Sequence, residues 1–261
     1  MKNILFAVLF LSLIISIPAG AQPSVNQWRL VKINWQLPGD AADIYEYKYD
    51  SAGRVSEIRN LSGKTLKNTE KDFVYDSDNR IKSCSLYIKG NKLYTYEFTY
   101  DDEGRLTSRK DITHDVNYGK PDKVTLTRNF RYEDNKIIES KSRSSFGGKL
   151  IDETVYEIDD DGNFIRKTGM DLNSKVKAQD YTYGNYDSRL NPLQYTGAYF
   201  FTDLESRHAG GDGAWEDTVP ATSSFTANKD GLLGKMIIRY TLSDGGTVNH
   251  TYAYTYVKLK P

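Results

Sequence analysis

The stretch YTYEFTYDDEGRL, residues 94–106, decides the fold of this chain. Its aromatic residues occupy every second position from Tyr94 to Tyr100, and polar residues lie between them. This alternation is typical of a β-strand with one dry face and one wet face. In the acidic turn that follows, Gly104 supplies the positive φ of a three-residue hairpin loop with a bulge. The stretch is therefore predicted to be a strand that turns back into an antiparallel neighbour.

The same plan recurs along the chain at a nearly constant spacing of about 25 residues, which marks a repeated supersecondary unit. One longer gap holds a turn-rich insertion, residues 111–122. A second class of turn lies between the units, so that turns fall about every dozen residues. We call each run of alternating aromatic or apolar residues before a turn a stripe. The last residues of the stripes are Tyr49, Tyr75, Tyr100, Tyr132, Ile158 and Tyr183.

The turns also predict the register of the hairpins. Gly53, Asn79 and Gly162 lie at the place that Gly104 holds in its own unit. A loop of this geometry brings the last stripe residue opposite the first apolar residue after the turn, and such cross-strand pairs stabilise a sheet. The predicted pairs are Tyr49 with Val55, Tyr75 with Ile81, Tyr100 with Leu106, and Ile158 with Phe164.

The fold class follows from this series of hairpins. We predict an all-β, antiparallel up-and-down meander of about 14 strands. Open sheets of this size curl or split, so the meander is expected to form a barrel or a barrel-like shell. Residues 28–36 and 247–258, at the two ends of the pattern, are expected to pair and so to bury two exposed edges.

Residues 190–232 interrupt the meander and are predicted to form a short helix and a loop that cover or plug one side of the barrel. Asn191 is suited to an N-cap and Pro192 to the first helical position. Trp215 in the glycine-rich loop that follows is suited, with the preceding Tyr199, Phe200 and Phe201, to form an aromatic platform for a sugar ring. The simpler interpretation, which we prefer, is that these rings form the core of the plug itself. The candidate ligand-binding residues are Trp215, Tyr199, Phe201 and His208.

The N-terminus has the pattern of a secretory signal peptide. Lys2 precedes an apolar run over residues 4–17, and small residues at 19–21 form a cleavage site. We expect removal of residues 1–21, which leaves residues 22–261 as one domain. The mature chain is expected to be exported to the periplasm or beyond the cell.

Charge and motifs exclude several classes of function. The chain has 35 basic and 35 acidic residues spread along its length, without the basic patch that nucleic-acid binding requires. Cys84 is the only cysteine and is interpreted as a packed strand residue. Residues 157–163 resemble the start of an EF-hand loop, but Thr168 stands where a bidentate Glu is required, so these aspartates are interpreted as turn formers. No metal site or cofactor is predicted.

No catalytic residue is predicted either. The three histidines are scattered, and no nucleophile or metalloprotease motif occurs. A pair of carboxyl groups for glycoside hydrolysis would need a separation that sequence does not show. The acidic residues of the interrupting segment are Asp203, Glu205, Asp212, Glu216 and Asp217.

The chain resembles two groups of known proteins, one in its turn motifs and one in its whole layout. The sequences YDSAGRV (49–55), YDSDNRI (75–81) and YDDEGRL (100–106) resemble the YD repeats of Rhs-type secreted shells. The layout of the whole mature chain, with the NPL motif at 191–193, is similar to secreted Bacteroidetes proteins that are described as porin-like. This resemblance implies a barrel and no particular activity.

Two functions remain open at this point. The first is an exported, soluble module that binds or scaffolds a glycan, a peptide or a cell-surface protein. The alternative is a porin-like barrel in the outer membrane. The polar face of the strands, as in EYKYD (46–50) and RVSEIRN (54–60), carries charges that a lipid-facing surface tolerates poorly. Membrane insertion is therefore not expected.

Overall fold

Consecutive hairpins build a single antiparallel sheet. The computed structural model describes residues 27–115, 120–184, 186, 189, 191–196, 212–215, 222–242 and 245–259. Within these residues the sheet has 16 strands. They are β1 (Trp28–Gln36), β2 (Asp43–Tyr49), β3 (Val55–Ser62), β4 (Thr65–Tyr75), β5 (Ile81–Ile88), β6 (Asn91–Tyr100), β7 (Leu106–Asp115), β8 (Lys120–Glu133), β9 (Lys136–Arg143), β10 (Leu150–Ile158), β11 (Phe164–Asp171), β12 (Val176–Gly184), β13 (Asp212–Trp215), β14 (Thr222–Ala227), β15 (Leu233–Thr241) and β16 (Thr247–Lys258).

The order of the strands is that of an up-and-down meander with its two ends joined. From β1 to β13 each strand pairs with the next in sequence, and β14, β15 and β16 extend the sheet on the other side of β1. The predicted pairing of the first strand with the last is confirmed: Ile33 lies opposite Tyr254 and Trp35 opposite Tyr252. The N-terminal and C-terminal strands thus meet inside the sheet, with β15 and β14 between them and one edge.

The two edges of the sheet are β13 and β14. Their Cα atoms approach within 8 Å, but no ladder of hydrogen bonds joins these two strands in the part of the chain that the structure describes. Only residues 216–221 separate them in sequence. The sheet therefore curls round into a barrel-like shell whose seam is not closed by backbone hydrogen bonds.

The sheet has more strands than the sequence predicted, because β13 and β14 lie inside residues 190–232, which we expected to be helix and loop. Neither strand carries the tyrosine stripe that identifies strands such as β2 and β6. The predicted helix is a short 3-10 turn at Pro192–Thr196. Asn191 caps this turn, since its Oδ1 accepts a hydrogen bond from the backbone N–H of Leu193 at 3.0 Å. No helix of the described residues is long and apolar enough to cross a membrane.

The predicted hairpin register is confirmed in all four pairs, each next to a bulge in its ladder. The predicted positive φ is also found, at Gly53 (76°), Asn79 (61°), Gly104 (80°) and Gly162 (82°). The aspartate that opens each turn fixes it. In the first turn, Oδ1 of Asp50 accepts hydrogen bonds from two backbone N–H groups of the loop, both at 2.9 Å.

One turn of the same kind escaped the sequence analysis. Asn228 opens it, and its Oδ1 accepts hydrogen bonds from the backbone N–H groups of Asp230 at 2.9 Å and Leu232 at 3.0 Å. Gly231 supplies the positive φ of 79°. The residue before Asn228 is Ala227 rather than an aromatic residue, so the stripe that identifies the other units is missing here.

The two faces of the curled sheet differ in burial. We call the face that bears the tyrosine stripe the inner face and the opposite one the outer face. The largest buried cluster lies on the inner face of β3–β7, and partly buried tyrosines pack around it. The 3-10 turn contributes Leu193 to a second inner cluster, around Leu30 and Leu232. The members of the largest cluster are Val55, Ile58, Ile81, Cys84, Phe98 and Leu106.

Candidate functional site

The predicted ligand-binding residues fall mostly outside the described residues. Tyr199, Phe201 and His208 lie there. Trp215 is the last residue of β13, and its backbone pairs with that of Tyr181 on β12. Only the backbone is described at this position. The predicted aromatic platform in residues 190–232 therefore stays a prediction.

The last tyrosine of each of the first four stripes joins one repeat to the repeat before it. Tyr75 donates its hydroxyl to the backbone carbonyl of Val55 at 2.7 Å, and Tyr100 does the same to Ile81 at 2.9 Å. Burial raises the pKa of Tyr100 to about 12, so this hydroxyl remains a donor at all ordinary pH values. These tyrosines stabilise the scaffold. The other bonds of this kind are Tyr49 to Leu30, Tyr132 to Leu106, Tyr186 to Phe164 and Tyr256 to Leu233.

The arginine of each YD turn occupies the space between two repeats. Arg80 pairs with Asp76 at 2.7 Å in its own turn. Its guanidinium carbon also lies 5.0 Å from the ring centroid of Tyr100 in the next repeat. Arg54 and Arg105 make the same contacts one repeat earlier and one repeat later. This end of the shell is thus a row of Asp–Arg–Tyr contacts that hold the turns together.

A buried ion pair lies further along the inner face. Nε of Arg109 donates to Oδ1 of Asp111 at 2.8 Å, and both side chains are almost completely buried. The guanidinium carbon of Arg109 lies 4.3 Å from the ring centroid of Tyr96, within the range of a cation–π contact. The sequence offers no sign of this burial, because both residues belong to a polar return strand.

Glu139 is the centre of a second buried polar group. Its Oε2 accepts a hydrogen bond from the hydroxyl of Tyr156 at 2.9 Å. Its Oε1 lies 3.4 Å from Nη1 of Arg128 and 3.8 Å from Nζ of Lys141. Two cations and a hydroxyl therefore share one carboxylate, which satisfies a charge that would otherwise be costly to bury.

Glu70 is the unusual carboxyl group of the inner face. It lies on β4 opposite Ile58 and Leu86, and no hydrogen bond or ion pair joins it to another described residue. Burial raises its pKa to about 7, although Arg109 favours its charged form. The neighbouring thiol of Cys84 is fully buried, and burial raises its pKa well above the usual value. This confirms the interpretation of Cys84 as a packed residue and not a nucleophile.

An aromatic cluster lies on the inner face of β1, β15 and β16. Trp35 and Tyr252 are cross-strand neighbours whose rings are parallel to within 2°, with centroids 5.9 Å apart. The ring of His250 lies 6.1 Å from that of Trp35 and 4.6 Å from that of Tyr240. All four side chains are half-buried. We call Trp35, Tyr240, His250 and Tyr252 the aromatic cluster.

Two buried polar atoms of the inner face, one of them in the aromatic cluster, have unused hydrogen-bonding capacity. Nε1 of Trp35 finds no acceptor and Oδ1 of Asn60 finds no donor, although both atoms are buried. Asn60 lies on β3, two strands from β1, and pairs with Tyr45 of β2, which pairs in turn with Ile33. Unsatisfied buried polar atoms are rare in native structures and often mark a place where a ligand or water belongs.

The sequence analysis missed the aromatic cluster, although two signals for it were present. The pairing of residues 28–36 with 247–258 was predicted, and His250 lies in the row of tyrosines. Carrying the register through that pair would have placed Trp35 opposite Tyr252. The residues of the aromatic cluster belong to the repeated strands themselves and not to the segment that interrupts the repeat.

The outer face is charged in the middle of its strands. On β2 and β3, Lys48 pairs with Glu57 at 2.7 Å, and Arg59 lies 3.6 Å from Glu46. On β11 and β12, Arg166 pairs with Asp180. The outer face of these strands therefore interacts favourably with water.

No metal centre emerges from this geometry. The described residues contain no cluster of three or more His, Cys, Asp or Glu side chains that could hold a metal ion. Asp159, from the stretch that resembles an EF-hand loop, acts instead as a turn former. Its Oδ1 accepts hydrogen bonds from the backbone N–H groups of Asp161 at 3.0 Å and Asn163 at 2.7 Å.

The fold is similar to that of two porin-like proteins of known structure. A porin-like protein from Bacteroides uniformis superposes with a TM-score of 0.58 at 14% sequence identity, over 87% of this chain and 98% of that chain. A porin-like protein from Bacteroides vulgatus gives 0.55 at 13% identity, over 88% and 99% of the two chains. No protein-family model and no curated protein matches the sequence. The resemblance to Bacteroidetes porin-like proteins is thus confirmed for the fold.

Proposed function

We propose that the chain is an exported, soluble module that binds a ligand on the inner face of its shell. The observation that carries this proposal is the contrast between the two faces. The outer face has charged side chains in the middle of its strands, and the inner face has half-buried aromatic rings. A porin in lipid requires the reverse arrangement, with an apolar band facing outwards.

The energetic argument favours water over lipid. An Arg or Lys on the lipid face of a barrel costs about 2–4 kcal/mol at the bilayer midplane. Arg59 lies in the middle of β3 on the outer face and would meet this cost, which becomes smaller towards the bilayer surface for Lys48 near the end of β2. The signal-like N-terminus supports export to the periplasm or the cell exterior. Glycans, peptides and cell-surface proteins are the ligand classes that an aromatic and polar inner face suits.

The second candidate is a porin-like barrel of the outer membrane. The fold likeness to two porin-like proteins favours it, although fold alone does not determine function. Under this proposal the seam between β13 and β14 would have to close before insertion, because an open sheet edge is not tolerated in lipid.

One experiment separates the two candidates. Residues 22–261 are expressed without the signal peptide and purified without detergent, and size-exclusion chromatography is combined with far-UV circular dichroism and liposome flotation. We expect a monodisperse, β-rich protein that does not float with liposomes. Aggregation that only detergent reverses, together with conductance in a planar bilayer, would instead establish the porin.

A further inference from the structure

We propose that the aromatic cluster is a binding site for a neutral saccharide, which stacks on Trp35 and Tyr252. This inference rests on the proposed function, since it names the ligand class and the place on the inner face. The site lies where the first and last strands of the chain pair, and its residues are outside the segment in which the sequence predicted a platform.

The rings provide a surface for stacking. Trp35 and Tyr252 are parallel and adjacent, and His250 and Tyr240 extend the surface along β16 and β15. Because all four side chains are half-buried, part of each ring is open to a ligand on the inner face. Aromatic rings with a few well-placed polar groups are the usual lining of a ligand site.

An unsatisfied polar atom of the aromatic cluster favours hydroxyl groups. The indole N–H of Trp35 needs an acceptor. A hydroxyl group both donates and accepts, so a saccharide hydroxyl can satisfy this N–H group.

The charges around the aromatic cluster favour a neutral ligand. Asp43, which lies opposite Trp35, is already neutralised by Lys67 at 2.7 Å. Burial lowers the pKa of His250, so that its imidazole is neutral at pH 7. Glu70, on β4 of the same face, keeps its proton up to a pKa of about 7. An anionic ligand would therefore find no free cation among these groups, and a cationic ligand would find only Glu70, which has lost only part of its protons at pH 7.

The test uses the detergent-free protein and a panel of neutral oligosaccharides, namely β-1,4-linked and α-1,4-linked glucans, xylans, mannans and chitin fragments, with binding measured by titration calorimetry. We expect one or more to bind, and Trp35→Ala to weaken that binding about tenfold or more through loss of the stacked ring. The matched control is Trp28→Ala, at the opposite end of β1, which should change the affinity by less than about twofold.

A second measurement covers the case in which Trp35→Ala does not fold. The chain has three tryptophans, which give three indole N–H signals in a ¹⁵N-labelled NMR sample. Trp35→Phe identifies the signal of Trp35, and the bound saccharide should shift that signal most. A protein that is monodisperse without detergent but binds no member of the panel would overturn the saccharide site, as would binding that leaves the Trp35 signal unmoved. Dependence on detergent would overturn the proposed function itself.

Discussion

The hydroxyl of Tyr100 donates a hydrogen bond of 2.9 Å to the backbone carbonyl of Ile81, and this bond joins one repeat to the repeat before it. The two residues lie at the same end of the shell, where every YD turn begins or ends. The tyrosine stripe therefore has two roles, since its rings fill the inner core and its last hydroxyl fixes the spacing of neighbouring hairpins.

We predict that Tyr100→Phe destabilises the protein by about 1 kcal/mol, because the ring remains packed and one hydrogen bond is lost. Urea unfolding monitored by circular dichroism measures the effect. Tyr94→Phe is the matched control: Tyr94 stacks on Tyr96 in the same strand, and its hydroxyl makes no hydrogen bond to a described residue. Equal effects of the two substitutions would show that the inter-repeat bond contributes nothing.

Gly104→Ala is expected to destabilise the protein by about 1 kcal/mol or more, because φ at this position is 80° and a Cβ atom strains that conformation. Steric overlap does not cause this destabilisation, since the nearest atom to an added Cβ is Nη1 of Arg80 at 3.8 Å. Gly184→Ala, in β12, provides the comparison, because that glycine has an ordinary φ and open space around it. Thermal unfolding midpoints of the two variants should therefore differ clearly.

Glu70 should make the stability depend on pH. The folded protein keeps the proton of Glu70 up to a pKa of about 7, whereas the unfolded chain releases it near the ordinary value of 4.5. The folded state therefore binds more protons between these pH values, and the contribution of Glu70 to stability falls as the pH rises from 4.5 to 7. The full loss is about 3 kcal/mol, since one pKa unit corresponds to about 1.4 kcal/mol.

Glu70→Gln should remove this dependence, since the amide remains neutral. We expect the variant to exceed the wild type in stability at pH 8 and to match it near pH 4.5, as measured by urea unfolding at both pH values. Glu97→Gln, on the exposed outer face of β6, is the control and should leave the pH profile as it is. A variant with an unchanged pH profile would refute the role of Glu70.

Asp111→Asn is expected to cost about 3 kcal/mol, because it removes the carboxylate that neutralises the buried guanidinium of Arg109. Nε of Arg131 lies 2.9 Å from Oε1 of Glu133, close to the 2.8 Å between Nε of Arg109 and Oδ1 of Asp111, but the side chains of Arg131 and Glu133 are exposed. Glu133→Gln should therefore cost at most about 1 kcal/mol. The comparison of the two free energies of unfolding tests whether burial, and not distance, determines the value of the pair.

Replacing both members of the buried pair should be milder than replacing one. Arg109→Met combined with Asp111→Leu removes two charges together, so no isolated charge remains in the inner core. We expect the double variant to recover most of the stability that Asp111→Asn loses. A double variant that is less stable than Asp111→Asn would show that the pair itself, including the contact of Arg109 with Tyr96, stabilises the shell.

The sequence alone determined the strands, the turns and the register of the hairpins. The alternation around Tyr100 and the turn at Gly104 are local features, and a hairpin is a local structure, so its pairing with Leu106 follows from a dozen residues. The pairing of the two ends of the chain followed from the need to bury exposed edges. Where local signals were weak, as in β13 and β14, the strands were missed.

Only the tertiary structure decided which side chains share an environment. Trp35 meets Tyr252 and His250 because β1 and β16 are adjacent, although the residues are at opposite ends of the sequence. Glu70 and Arg109 look like ordinary strand charges until the curled sheet surrounds them with apolar rings. The burial and the pKa of a side chain depend on neighbours from strands that are distant in sequence, and the alternation within a single strand does not predict those neighbours.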